Sequence, residues 1–550
     1  MSYLTPYLTP SSSPILSTKR IGQAATICES QWQRCASFCW AYQLPSKLDP
    51  CDSPYNASID SIHILDDYSL LNIFYLYRPD IFDGDEGYVD RIIGGRVWDR
   101  ERWWYKLAQV CRRWRRVLLG SASYLNLCLV CTYGTPVADM LAHSPPLPLV
   151  LDYFRTDGDI NTEDEEGVKL ALEEHDRVRR IRLRVPAPKL QKLFVAINRE
   201  YPALEYLIMQ PTKADKTRAV MLPKALQAPR LRHAWLRGFA LPMESQLLTN
   251  AASMVTLYLY VNHSDAFFQP KTLLRWISSM PHLETLVINL FFMVPNRDVE
   301  RQLMHTPIIP LVTLPNLRFL VLQSGSAYAE AIVRQITTPR LEKLDIWFFK
   351  QLTYSLPCLQ QFINKTANLR FDSAKFEFSR DLVYAGVYLR EEIEIAQIKM
   401  IPLLLAVRSW HLDWQVSSVA QIFNSISQVL STVENLTLEH KEHSRSSDDH
   451  NEVDRAEWHR LLRPFSKVKT LRVGDGLVKD VSRSLRPEDG EDPLELLPEL
   501  QSLTYSGIGD TVAHPGGAFA SFVDARENAD HPVTLVRPNA RPATPEIWDW

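Results

Sequence analysis

Two clusters of side chains in this chain carry types that could do chemistry. Cys128-Leu-Val-Cys131 has the spacing of half a zinc site, in which paired thiolates would hold the ion. Its second half is missing, because the only later cysteine is Cys358. Residues three apart on a strand also point to opposite faces, so the expected reading is two buried free thiols. His440, His443, His450 and His459, with Asp448 and Asp449, form the densest His/Asp cluster. They lie in a polar, Ser-containing stretch from Glu439 to Glu457 with no framework to fix ligand geometry, which reads as an exposed loop. No phosphate-cradling Gly loop, His-Glu-x-x-His or Gly-x-Ser-x-Gly occurs. The expectation is a protein with no catalytic residues, no metal and no cofactor.

The elements that would position a binding function are more legible. In the stretch Trp104 to Arg116, residues Leu107, Val110, Cys111 and Trp114, continued by Val117 and Leu118, fall on one helical face. Arg112, Arg113, Arg115 and Arg116 take the other side. Because the Trp and Val positions follow a buried face, the arginines read as a solvated or partner-docking surface, not a nucleic-acid site. Upstream, Asp66 and Asp67 precede the apolar run Leu70-Leu71-Asn72-Ile73-Phe74, and acidic residues suit a helix's first turn. Arg78 to Arg102, rich in Asp and Gly, reads as an acidic loop extruded between the two helices.

Composition bounds the rest. The 550 residues suffice for several domains or one repeat array, and 46% hydrophobic content supports a sizeable core. A net charge of -3 gives no prior for nucleic acid or an acidic membrane. The start, Met-Ser-Tyr-Leu-Thr-Pro, carries no secretory pattern, and no apolar run approaches the ~20 residues that span a bilayer. The eight cysteines are irregularly spread, as in a reducing compartment. The expected location is cytoplasmic or nuclear, with no membrane partner.

From Val178 onward a unit recurs: a helical stretch, often a breaker, then apolar-x-x-apolar-x-apolar. Its copies begin at Val178, Leu204, Leu231, Met254, Leu283, Leu317, Leu341, Phe371, Val407, Val433, Val468 and Leu500. The last two apolar positions, two apart, would point one way from a strand into the core, while the first plugs the turn before it. A helix such as Leu273 to Ile277 would cover the other side. About twelve such copies look like an irregular leucine-rich-repeat array over residues 125–505. The regularity is weakest between 371 and 433. Residues 1–58 read as a mobile start, 59–124 as a small helical domain with the 78–102 loop inserted, and 506–550 as a cap or tail. The expected fold class is α/β, a short helical domain followed by a solenoid with a curved parallel sheet on one side and helices on the other. Arg180, Arg182 and Arg184, with Trp235, Arg237, Tyr258 and Tyr260, would then project from the open sheet face as a basic, aromatic patch.

Residues 60 to 124 resemble an F-box of the version common in fungal, basidiomycete-like proteins. The resemblance rests on Ile64-Leu65-Asp66-Asp67, on Leu70-Leu71-Asn72-Ile73-Phe74 and on Val110-Cys111-Arg112-Arg113-Trp114-Arg115. Asp66 stands where the family usually has Pro, and Tyr68-Ser69 replace a Val or Leu. The resemblance implies a substrate receptor of a Skp–cullin–F-box type ubiquitin ligase. The F-box helices would dock on a Skp-type adaptor, and through it on a cullin–RING ligase, while the repeats hold an unidentified target protein. The adaptor-facing candidates are Leu65, Leu70, Leu71, Ile73, Phe74, Val110, Cys111 and Trp114. The alternative is a non-catalytic repeat scaffold with a degenerate F-box.

Overall fold

The computed structural model describes residues 65–79, 101–154, 160–212, 219–290, 311–349, 351, 353–366, 368–389, 401–441, 453–488, 490–505 and 517–536. The expected mobile segment 1–58, most of the 78–102 loop, His443, His450 and the closing Trp548-Asp549-Trp550 lie outside these residues. The chain forms two compact units, Met1–Ile197 and Asn198–Trp550.

The first unit holds helices α1 (Asp67–Tyr77), α2 (Trp103–Ala108) and α3 (Arg112–Gly120), then strands β1 (Leu129–Thr132), β2 (Leu149–Tyr153) and β3 (Val178–Pro186). Helices α4 (Val137–His143), α5 (Thr162–Glu173) and α6 (Ala187–Ile197) follow the three strands in turn. The strands pair in parallel, with Leu129 opposite Leu149 and Leu151 opposite Ile181. Local chemistry sets the helix starts. The Asp66 side chain accepts the Ser69 N–H at 2.6 Å and Asn161 accepts that of Asp164, each capping a free donor of the first turn. Asp66 thus begins α1 as an N-cap, and this bond holds its carboxyl below the usual range.

The first three strands belong with the helical segment because α2 is sewn to β1. Trp104 Nε1 donates to the Cys128 carbonyl at 3.2 Å, Tyr105 Oη accepts the Val130 N–H at 3.1 Å, and Arg102 donates to the Val130 carbonyl.

The second unit is a mixed α/β array on a large, mostly parallel sheet. Its long strands are β4 (Tyr206–Thr212), β6 (His233–Arg237), β8 (Thr256–Tyr260), β9 (Thr285–Asn289), β11 (Phe319–Ser324), β13 (Lys343–Phe348), β14 (Ser373–Phe378), β15 (Leu382–Tyr388), β16 (Leu403–Arg408), β17 (Asn435–His440), β18 (Thr470–Val473), β19 (Ser502–Tyr505) and β20 (Thr534–Val536). Short strands β5 (Val220–Met221) and β7 (Phe239–Ala240) pair with each other, as do β10 (Val312–Thr313) and β12 (Ile336–Thr337).

The repeat is visible in two recurring backbone bonds. In the regular units the plug residue donates its N–H to the carbonyl three residues earlier: Leu231 to Ala228, Met254 to Ala251, Leu283 to Met280, Leu341 to Thr338, Val468 to Phe465. The carbonyl just before each strand then accepts two N–H groups from the same place in the next unit. Glu205 serves Arg232 and His233, Arg232 serves Val255 and Thr256, and Val255 serves Glu284 and Thr285. These plugs are buried, a gain of about 1.5–3 kcal/mol for each Leu or Met. Alternation then places Leu257 and Leu259 of β8, or Leu436 and Leu438 of β17, in the core. The helices cover that side: Phe376 and Phe378 of β14 meet Phe423 of α11 and Trp458 of α13, where α7 (Gln246–Thr249), α8 (Pro270–Ile277), α9 (Ser326–Val333) and α10 (Pro357–Lys365) precede α11 (Leu412–Ser425), α12 (Ser427–Leu430) and α13 (Arg455–Leu462). Pro270 and Pro357 begin their helices, where no N–H is needed.

Three features depart from the sequence pattern. Strand order runs β13-β16-β15-β14-β17, and β15 is antiparallel to both neighbours. The copy assigned at Val407 fails in this region: Val407 is the penultimate residue of β16 and Leu412 opens α11, so the apolar spacing there straddles a strand end and a helix start. Beyond Tyr505 the array continues, since α15 (Ala520–Asn528), after α14 (Val478–Leu485), leads to β20, which pairs in parallel with β19. Buried Arg526 of α15 donates to the carbonyls of Pro498 and Leu500, bracing the preceding plug turn.

Candidate interaction surfaces

In the first unit, α1 and α3 are clamped side by side. Phe74 and Trp114 meet edge to face at 5.0 Å, and Arg113 reaches both the Asp67 carboxylate, at 2.9 Å, and the Leu65 carbonyl. Leu70 and Phe74 are fully buried, while Leu65, Leu71, Cys111 and Trp114 are half-buried. Of the eight residues singled out for adaptor docking, only Ile73 and Val110 are exposed. Leu70 and Phe74 are core residues, because they sit one turn apart on the side of α1 that faces α3.

Sequence reasoning missed the rest of this surface. Tyr68, at 73% exposure, and Leu76, at 82%, stand out from α1 together with Tyr75 and Tyr77. Tyr75 lies against exposed Tyr124 at 5.3 Å, and the Arg78 guanidinium sits 4.9 Å from the Tyr75 ring centre. The signal was present in Tyr68-Ser-Leu-Leu-Asn-Ile-Phe-Tyr-Leu-Tyr77, which is apolar around most of the helix. One short helix cannot bury all its sides against two neighbours.

The arginines expected on the open face are not a surface patch. Arg180 is buried and paired with buried Glu101, and Arg182 is buried and paired with Asp152 at 2.8 Å. Half-buried Arg184 lies 5.8 Å from the Phe154 ring centre, and Arg182 lies 5.2 Å from it. The two acids neutralise the charges that would otherwise have required water. Burial pushes the Asp152 carboxyl up, and the Arg182 guanidinium opposes that shift.

In the second unit, the sheet face away from the core carries an aromatic stripe. Tyr206 and His233 stack at 4.6 Å, Trp235 lies 5.7 Å from Tyr260, and Tyr258 stacks alongside Tyr260. Trp235 is buried, Tyr258 and Tyr260 half-buried, and Arg237 exposed. Farther along, Trp347 of β13 meets Tyr384 of β15 edge to face at 5.4 Å. Beside Trp347, Asp345 is 3% exposed, with one carboxylate oxygen 3.3 Å from Lys343 Nζ and the other without a hydrogen-bond partner among the described residues. Burial pushes its carboxyl up to about 6. Such a face offers aromatic anchors and scattered hydrogen-bonding groups, the chemistry of protein recognition.

Of the cysteine and histidine clusters, Cys128, Cys131, His440 and His459 lie among the described residues, and His443, Asp448, Asp449 and His450 lie outside them. Among the described residues no group of three or more His, Cys, Asp or Glu is placed to bind a metal ion. Cys128 and Cys131 are buried free thiols, pushed up to about 11 and about 12 by burial. His459 Nε2 lies 2.7 Å from the Ser484 carbonyl, and His440 occupies the space that Gly476 leaves without a Cβ. No described helix is long and apolar enough to cross a membrane.

No protein-family model matches the chain, and no curated protein matches it. Among solved structures it is similar to the leucine-rich-repeat-containing protein LegL7 of Legionella pneumophila, at 11% identity. The match covers 73% of this chain and 98% of that one, with a TM-score of 0.24, too loose a likeness to inform either surface.

Proposed function

We propose that this protein is a non-catalytic, leucine-rich-repeat-like receptor that recruits a target protein to a ubiquitin ligase of the Skp–cullin–F-box type. The first unit docks on a Skp-type adaptor and the sheet face of the second holds the target, in the cytoplasm or nucleus. The receptor's contribution is proximity: it raises the local concentration of a target lysine near the ubiquitin-conjugating enzyme. The observation that carries the reading is α1, a helix pinned by Leu70 and Phe74 that still turns Tyr68, Ile73, Tyr75 and Leu76 outward. A helix with apolar side chains on its solvent side is built to be covered.

The test is a pull-down of the full chain with purified Skp-type adaptor, wild type against Ile73→Asp/Leu76→Asp. Both positions are exposed, so the variant keeps its fold, which circular dichroism verifies. Binding by the wild type and loss in the variant support the reading. A wild type that does not bind refutes it. Substitution of Leu70 would not discriminate, because it empties the core. One feature favours the second reading, a repeat scaffold outside any ligase: Asp66, in place of the family's Pro, serves α1 as a local cap.

A further inference from the structure

The antiparallel strand leaves a cavity in the second unit. In the regular units the plug residue two positions before the strand closes its turn with the bond to the carbonyl three residues back. Before β14 that position is Phe371, but the turn bond comes from Leu369, two residues early. The Asp372 N–H next to it goes instead to the Tyr388 carbonyl, at the outgoing end of β15. Two chain passages therefore share the space that one plug fills elsewhere. A cavity of about 540 Å³ opens between this turn, the end of α10 and α12.

Half of its lining is apolar, Ile363, Leu369, Phe371, Leu389 and Val429, with Thr366 and Thr432 set among them. The rim is polar: Asn364 of α10 donates to the Gln428 side chain of α12 at 3.1 Å. Arg370 is the one charged residue in the lining, exposed, and without a hydrogen bond or ion pair among the described residues. The volume lies within the ~300–1,000 Å³ of small-ligand sites, and an apolar wall with a few convergent polar groups is their usual make-up.

We propose that this cavity binds an amphipathic monocarboxylate, with its apolar body against Phe371 and Val429 and its carboxylate on the Arg370 guanidinium. The same chemistry is offered by a free medium-chain acid and by the carboxyl terminus of a peptide ending in a bulky apolar residue. The site stands whether or not the first unit docks an adaptor.

The experiment is isothermal titration calorimetry on the full chain with two probes, decanoate and a hexapeptide ending in Leu, each against its neutral amide. A carboxylate that binds while its amide binds about ten- to hundred-fold more weakly supports the proposal, since a charge-assisted contact is at stake. Arg370→Met weakens the acid by the same factor and leaves the amide unchanged, and Val429→Trp, which fills the cavity, removes both. The probe that responds identifies the source. No binding of either acid at millimolar concentration, equal affinity for acid and amide, or indifference to Arg370→Met each overturns the proposal. Arg370 is a surface position, so that variant reports even where the buried Val429 substitution impairs folding.

Discussion

Replacing Arg182 by Met should destabilise the first unit by roughly 3–6 kcal/mol at neutral pH without touching any binding surface. The pair it breaks lies in the core, Arg182 NH1 being 2.8 Å from Asp152 Oδ2 with side-chain exposures of 7% and 4%. Removing one partner of a buried pair leaves an uncompensated charge, at about 3–5 kcal/mol. The lost contact with Phe154 adds up to about 1 kcal/mol, moderated because Arg184 stays over the same ring. Against a typical total of ~5–15 kcal/mol this is a large fraction. The penalty depends on pH. Burial already raises the folded-state Asp152 carboxyl above its unfolded value, and removing the opposing Arg182 guanidinium raises it further, so folding is favoured below the unfolded value. That advantage is lost as pH rises through the folded one. The variant should therefore regain stability relative to wild type as pH falls. Asp152→Leu/Arg182→Met should recover most of the loss, since matched apolar residues replace a buried pair at little penalty. Hydrogen exchange of β2 and β3 amides reads the local opening free energy directly. Exchange in Arg182→Met within about 1 kcal/mol of wild type at pH 7, or unchanged by the second substitution, would refute this account.

Other expectations follow from single environments. Leu70→Ala should lower stability by about 2–5 kcal/mol and Leu76→Ala by under about 0.5, compared by urea unfolding, because the first is fully buried and the second 82% exposed. Asp345 has a folded value near 6, above its unfolded one, so its contribution is present in acid and lost as pH rises through about 6. Asp345→Asn should accordingly match wild type in thermal unfolding only below the carboxyl's unfolded value of 3.8 and exceed it at pH 8. Gly238→Ala should destabilise by about 1–2 kcal/mol in the same assay: its φ of +77° disfavours a side chain, and an added Cβ would approach Pro211 Cγ at 3.0 Å. Cys128 and Cys131 should resist iodoacetamide at pH 8 in the folded protein and react in urea, as mass spectrometry of the labelled peptides would show.

The repeat was legible because its physics is local. Apolar-x-x-apolar-x-apolar encodes a plugged turn and two inward side chains within six residues, and the copies at Leu204, Leu231, Met254, Leu283, Leu317, Leu341, Val433, Val468 and Leu500 all close that turn and lead into a strand. The α8 segment was equally readable from the apolar spacing of Leu273 to Ile277. Strand direction is not encoded locally. β15, Leu-Val-Tyr-Ala-Gly-Val-Tyr, alternates like any half-buried strand, and only its short link to β14 hinted at a hairpin. A single reversed strand then moved the partner of β13 from β14 to β16.

The arginines of β3 show the deeper limit. In Val178-Arg-Arg-Ile-Arg-Leu-Arg-Val the period of two separates core residues from the rest correctly, with Ile181 and Leu183 fully buried. Periodicity cannot say whether the other face is wet. That depends on Asp152, thirty residues back, and on Glu101, seventy-nine back, both of which the fold delivers under the strand. The same limit applied in reverse to α1, whose apolar run gave no hint of which leucine turned inward until α3 took its place beside Phe74. A charge read as a surface feature and an apolar residue read as a docking contact exchange roles for one reason: burial is decided by partners distant in sequence. The docking surface is therefore best sought where local pattern demands burial and the fold withholds it, and in the first unit that place is the outer side of α1.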